Sequence, residues 1–138
     1  MDKNAIGRAG EYRVASELLQ RGFNPMMASI DKGIDFVLDN SKTIQVKTVF
    51  RINYPRRKNN ATVSIATTRY VRGDRIHEVR NIRADFYIIW VIPWDEFFIV
   101  PRNIVKNIGI TLSFTKTNNE GLYRFKNCWN LLKNGGAK

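Results

Sequence analysis

Between Asp85 and Pro93 the chain reads Phe86-Tyr87-Ile88-Ile89-Trp90-Val91-Ile92, seven apolar residues without a break. A run this short and this continuous, closed by a proline turn, predicts a strand buried on both faces. It is the longest apolar run in the chain, and it falls far short of the roughly 20 residues that a membrane-spanning helix needs. Other elements must therefore cover it. Asn4 is placed to cap a helix running to about Gln20, with Arg21-Gly22 as its stop. Residues 23–29 read as an edge or bulged strand because of Pro25. Residues 34–38 and 43–50 read as two strands joined by a turn at Asp39 to Lys42. Pro93-Trp94-Asp95 turns the long apolar run into a strand at 97–100, and Pro101 opens a short helix to about Asn107. A last hairpin is expected from 110–116 and 122–126, followed by a helical turn at 128–133. The pattern is α+β, a mixed sheet with helices covering one core.

The whole chain of 138 residues and 16.0 kDa is one domain's worth, so a single domain over 1–138 is expected. With 43% hydrophobic and 25% charged residues, composition excludes a disordered tail and a membrane bundle. No apolar leader is visible near the charged N-terminus, so a soluble, intracellular, cytoplasmic protein is expected. One cysteine, Cys128, excludes an intrachain disulfide framework. With a single histidine, His77, it also excludes a zinc finger, which needs four such ligands. Twenty-three Lys and Arg against twelve Asp and Glu leave a formal charge of +11. A polyanion is the natural partner of such an excess, because each neutralised phosphate releases condensed counterions.

The charge is uneven. Residues 51–83 hold nine basic side chains, among them Arg51, Arg56, Arg57, Lys58, Arg69, Arg72 and Arg75, and only two acids, Asp74 and Glu78. Two turn-rich segments carry most of them, with a strand-like stretch at 61–68 between. A basic ribbon of that kind fits a DNA major groove, whereas the plain alternative is a pair of solvated loops.

Four further positions form a pattern. Ile34, Phe36 and Leu38 alternate with Asp35 and Val37, and Ile44 and Val46 alternate with Gln45 and Lys47. The two apolar sets must share one side of the sheet, since a one-residue slip would bury the polar set. Pairing Leu38 with Ile44 and Phe36 with Val46 achieves this, and puts Asp35 opposite Lys47 across a loop of Asn40-Ser41-Lys42, with Asn40 as the left-handed residue. Asp35, Gln45 and Lys47 then lie within reach of one small ion. Glu11 joins them by another route. Its helical neighbours Gly7, Val14, Ala15 and Leu18 are small or apolar, so this carboxylate stands on the core-facing stripe and needs a partner. Taken singly, Asp35 and Lys47 are an ordinary cross-strand ion pair and Glu11 borders the core. Together, in a basic protein, they point to chemistry.

In this order the residues carry a resemblance. Glu11, then Gly33-Ile34-Asp35, nine intervening residues, and Gln45-Val46-Lys47-Thr48 resemble the active-site signature of the PD-(D/E)XK nuclease superfamily. Gly7-Arg8-Ala9-Gly10-Glu11 through Gln20-Arg21-Gly22-Phe23 is similar to its small group I intron-associated, homing-type branch, as is Asp85-Phe86-Tyr87 through Val100-Pro101. The resemblance implies a restriction-endonuclease-like core, with a central mixed sheet flanked by helices. It implies a sequence-specific endonuclease for double-stranded DNA that uses Mg²⁺ or Mn²⁺. Asp35, the Val46 main-chain carbonyl, Gln45 and Glu11 would be the metal ligands, and Lys47 would orient and activate the attacking water. Arg51 and the basic side chains that follow it would hold DNA. Cutting both strands would call for a homo-oligomer, a dimer or a tetramer.

Gln45 departs from the superfamily's Asp or Glu. Its amide oxygen still suits a hard cation but brings no charge. That keeps a second class in view, a non-catalytic DNA-binding module on a nuclease scaffold, beside a Holliday-junction resolvase-like nuclease. A third class, an RNA-binding protein, needs stacking platforms, and most of the aromatics instead lie in apolar strand patterns.

Overall fold

Asp2, not Asn4, caps the first helix. Its Oδ1 accepts the Ala5 N–H at 2.8 Å, so helix α1 runs over Lys3–Gln20 and Asn4 already lies within its first turn. The far end closes as the Arg21-Gly22 pair predicts. Gly22 adopts φ +89, and the N–H groups of Gly22 and Phe23 donate to the carbonyls of Leu19 and Leu18 at 3.1 and 2.9 Å. This satisfies the last carbonyls of the helix and turns the chain back toward the sheet. The computed structural model describes residues 2–28, 33–52, 59–65, 83–108 and 111–133.

Among the described residues seven strands follow: β1 (Met26–Met27), β2 (Phe36–Val37), β3 (Thr43–Val49), β4 (Asn60–Ser64), β5 (Phe86–Val91), β6 (Glu96–Pro101) and β7 (Thr111–Thr115). A second helix, α2 (Arg102–Ile108), leaves directly from β6. The main sheet has the order β1-β2-β3-β5-β6. β3 and β5 are parallel and every other neighbouring pair in it is antiparallel, so the sheet is mixed and the fold class is α+β. Ile92–Trp94 forms a 3₁₀ turn between β5 and β6, and Asp95 completes it at φ +47 while accepting the Trp90 indole N–H.

β5 is the hinge of the architecture, as its unbroken apolar run requires. Phe86 and Ile88 face α1 and pack with Val14, Leu18, Ile44, Phe97, Ile99 and Trp129. Tyr87, Ile89 and Val91 face the other way, into a core shared with Phe98, Val100, Val105, Leu112 and Phe114. Alternate residues of one strand thus serve two separate cores.

Two strand pairings depart from expectation. The hairpin of 110–116 with 122–126 does not form: Leu122–Phe125 is a 3₁₀ turn, and β7 pairs instead with β4 in a separate two-stranded sheet. The physical reason is burial. Ala61, Ile65, Leu112 and Phe114 all end inside the second core, which a hairpin closed on itself would not cover. The same core takes up β4, the described part of the strand-like stretch at 61–68, through Ala61. The second correction is register. Phe36 pairs with Ile44 and Val37 with Thr43, two residues away from the pairing that hydrophobic alternation suggests. A shift of two preserves which side chains share a face. The turn itself decides between the two solutions. Leu38 and Lys42 close around Asp39-Asn40-Ser41, with Ser41, not Asn40, in the left-handed region at φ +71. The Asn40 side chain is used elsewhere, donating to the Leu132 carbonyl and accepting the Lys42 N–H.

Candidate active site

The β2–β3 ladder is short, and what happens where it stops creates the site. Gly33 takes φ +94 and brings the chain to Asp35. The Asp35 N–H donates to the Ile44 carbonyl at 2.7 Å, and its carbonyl accepts the Ala28 N–H at 3.0 Å, so its backbone is held from both sides. Its side chain then does what the missing strand would do. Asp35 Oδ2 accepts the Val46 N–H at 2.6 Å, a short charge-assisted bond. The N–H and C=O of one strand residue point to the same neighbour. The Val46 carbonyl is therefore directed to that same gap, beside the Asp35 carboxylate.

Glu11 comes from the α1 side. Gly10, Val14 and Leu18 bury that helix against the sheet, and Glu11, half-buried beside Gly10, meets the Asp35 carboxylate. Burial, the hydrogen bond to Asp35 and the negative charge of Asp35, in that order, push the Glu11 carboxyl up to about 7, with Arg8 opposing. A hollow of about 690 Å³ lined by Lys3, Arg8 and Glu11, among others, opens along the first turns of α1.

Gln45 and Lys47 stand on the opposite face of β3, level with Tyr87 and Ile89 of β5, and both are half-buried. Among the described residues no ion pair joins Asp35 to Lys47, so the expected cross-strand salt bridge is not made. The structure thus brings Glu11 to Asp35 and Asp35 to the Val46 backbone, and leaves Gln45 and Lys47 on the other face of β3. Glu17 is occupied elsewhere, paired with Arg13 at 2.9 Å and Arg21 at 3.1 Å. Arg51 is exposed just beyond β3, its guanidinium over the Phe50 ring. Arg56, Arg57, Lys58, Arg69, Arg72, Arg75 and His77 lie outside the described residues.

Two residues of this region escape a reading of sequence. Asp85 accepts from the Thr43 N–H and hydroxyl at 3.0 and 3.1 Å and pairs with Arg102 at 3.2 Å, which locks the starts of β3 and β5 and thereby the register of Gln45 and Lys47. Its position immediately before an apolar strand is the one signal for it. Thr48, whose side chain meets Gly10, has no such signal.

The arrangement of elements decides the comparison. The fold is shared with a bacterial homing endonuclease. The solved structure of that enzyme, I-Ssp6803I, matches with a TM-score of 0.72 over 99% of this chain and 94% of that one, at 18% sequence identity. No protein-family model matches the chain, and no curated protein sequence does either. No helix among the described residues is long and apolar enough to cross a membrane.

Proposed function

We propose that this chain is a metal-dependent endonuclease that hydrolyses phosphodiester bonds in double-stranded DNA, of the sequence-specific homing type. The observation that carries the reading is the Glu11–Asp35 carboxyl pair, held at the point where β3 turns the Val46 backbone out toward it. A homing endonuclease of the same fold and a formal charge of +11 support DNA as the substrate.

The donor set suits a hard divalent cation. Two carboxylates forced together, a main-chain carbonyl and an amide supply oxygen only, the ligand type that Mg²⁺ and Mn²⁺ take. Among the described residues there is no cluster of three His, Cys, Asp or Glu side chains, so the carbonyls of Val46 and Gln45 would complete the ligand set. When bound, the cation lowers the pKa of a coordinated water and offsets charge on the phosphoryl oxygens. Asp35 would hold it through its carboxylate, and Glu11 would give up its proton to join. Lys47, an ammonium on the second face, would orient the attacking water and stabilise the added charge of the pentacovalent phosphorus. Arg51 and the basic segments on either side of β4 would hold the flanking phosphates, and a homo-oligomer would bring a second centre to the other strand.

Nicking of supercoiled plasmid in Mg²⁺ tests the reading. The protein should convert plasmid to open-circular and linear forms, and Lys47→Ala should abolish this. DNA binding without cleavage by the parent protein would instead support the second reading, a non-catalytic binding module, which the uncharged Gln45 favours.

A further inference from the structure

The packing of α1 on β3 turns on a contact that has no side chain on one side of it. A methyl group placed on Gly10 would stand 1.8 Å from Thr48 Oγ1, 3.1 Å from its Cβ and 3.5 Å from its Cγ2. Rotating Thr48 would relieve this only in part, because a β-branched side chain is restricted at χ1. Gly7, one turn earlier on the same helix, has nothing within 4 Å of such a methyl group. The demand for glycine is thus local to one point.

Both partners are poor local choices. Glycine within a helix is less favourable than alanine. The Thr48 hydroxyl is buried with no hydrogen-bond partner among the described residues, a loss that an apolar group of the same shape would not carry. Two unfavourable residues meet one position before Glu11 and two positions after Val46. We infer that Gly10 and Thr48 are positioning residues, which let α1 approach β3 closely enough for Glu11 to meet the Asp35 carboxylate. An added methyl group lifts the helix and withdraws Glu11 from the pair. The geometry stands by itself; its consequence for cleavage rests on the nuclease reading above.

The test is Gly10→Ala, with Gly7→Ala as the matched control and Gly10→Ala/Thr48→Ala as the rescue. In metal-free protein the Glu11 carboxyl ¹³C resonance should move when Asp35 is replaced by Asn. That response should vanish in Gly10→Ala, persist in Gly7→Ala and return in the double variant. Mg²⁺-dependent cleavage should fall on the order of 10²-fold in kcat with KM for DNA nearly unchanged, the cost of misplacing a reacting group by about an ångström. Thr48→Ile, a strong strand former, applies the same displacement from the other side and remains readable if Gly10→Ala does not fold. A Glu11 resonance that still responds to Asp35 in Gly10→Ala, or in Thr48→Ile, overturns the inference. Loss of the response in a protein whose parent cuts no DNA would uphold the positioning role and overturn the nuclease reading alone.

Discussion

Asp35 Oδ2 ties the Val46 N–H where β2 leaves β3, and in the proposed nuclease the same carboxylate would also hold the cation. Asp35→Ala should abolish Mg²⁺-dependent cleavage while DNA affinity, measured by gel shift in Ca²⁺, stays within a few fold, because binding rests on the basic surface. Cleavage near the parent rate would exclude Asp35 as a ligand. Glu11 supplies a different test through proton linkage. Its folded pKa, about 7, lies above the ordinary 4.5, so the folded state holds this proton more tightly than the unfolded one. The stabilisation is complete below 4.5 and is lost as pH rises through 7. Melting temperature of metal-free protein should accordingly decline across that window, and Glu11→Gln should flatten the decline. An identical slope in both proteins would show that Glu11 is not the group responsible. The core-facing place of Glu11 was legible from its helical neighbours. The pairing that perturbs it was not, because contact with Asp35 depends on how far α1 sinks onto the sheet, which Gly10 and Thr48 decide.

Among the elements, β5 carries much of the weight because, like β3 and β6, it contributes to both cores. Ile88 is fully buried on the α1 side. Ile88→Ala should cost about 2–5 kcal/mol of stability, read from the urea midpoint, since it loses transfer free energy and leaves a cavity that two packed layers close poorly. A change below 1 kcal/mol would mean that the α1 side collapses easily and holds the site loosely. β5 was also the element most legible in the sequence, since an unbroken apolar run flanked by Asp85 and Pro93 admits few alternatives. Its neighbours were less so. Hydrophobic alternation identified the faces of β2 and β3 correctly but not their register, because pairings two residues apart bury the same side chains and the Leu38–Lys42 turn breaks the tie. β7 was recognisable as a strand, and its partner was not. Nothing local distinguishes a return through the Asn118–Gly121 turn from pairing with β4, some fifty residues earlier.

For the molecule as a whole, charge is the quantity to test. Arg56, Arg57 and Lys58 form a dense basic segment in a chain of formal charge +11. If they contact phosphates, each neutralisation should weaken binding alike on all sequences and lower the slope of log K against log salt by about one unit. Arg69, Arg72 or Arg75, if one of them reads a guanine edge, should cost about 1–3 kcal/mol on a preferred site and little on random DNA. Fluorescence anisotropy against salt on specific and random duplexes measures both, and unchanged affinity and slope after alanine at all six would place the DNA surface elsewhere. Length, composition and charge were readable directly, since they are sums over residues. So were the identities of the β5 strand, the α1 helix with its Gly22 stop, and the polar face carrying Gln45 and Lys47, since each follows from periodicity within a dozen residues. The structure decided the Asp2 cap over Asn4 through one local hydrogen bond and the two-residue register through the Leu38–Lys42 turn. The union of β4 with β7 and the meeting of Glu11 with Asp35 are choices between locally equivalent solutions, and burial against elements distant in the chain separates those in free energy.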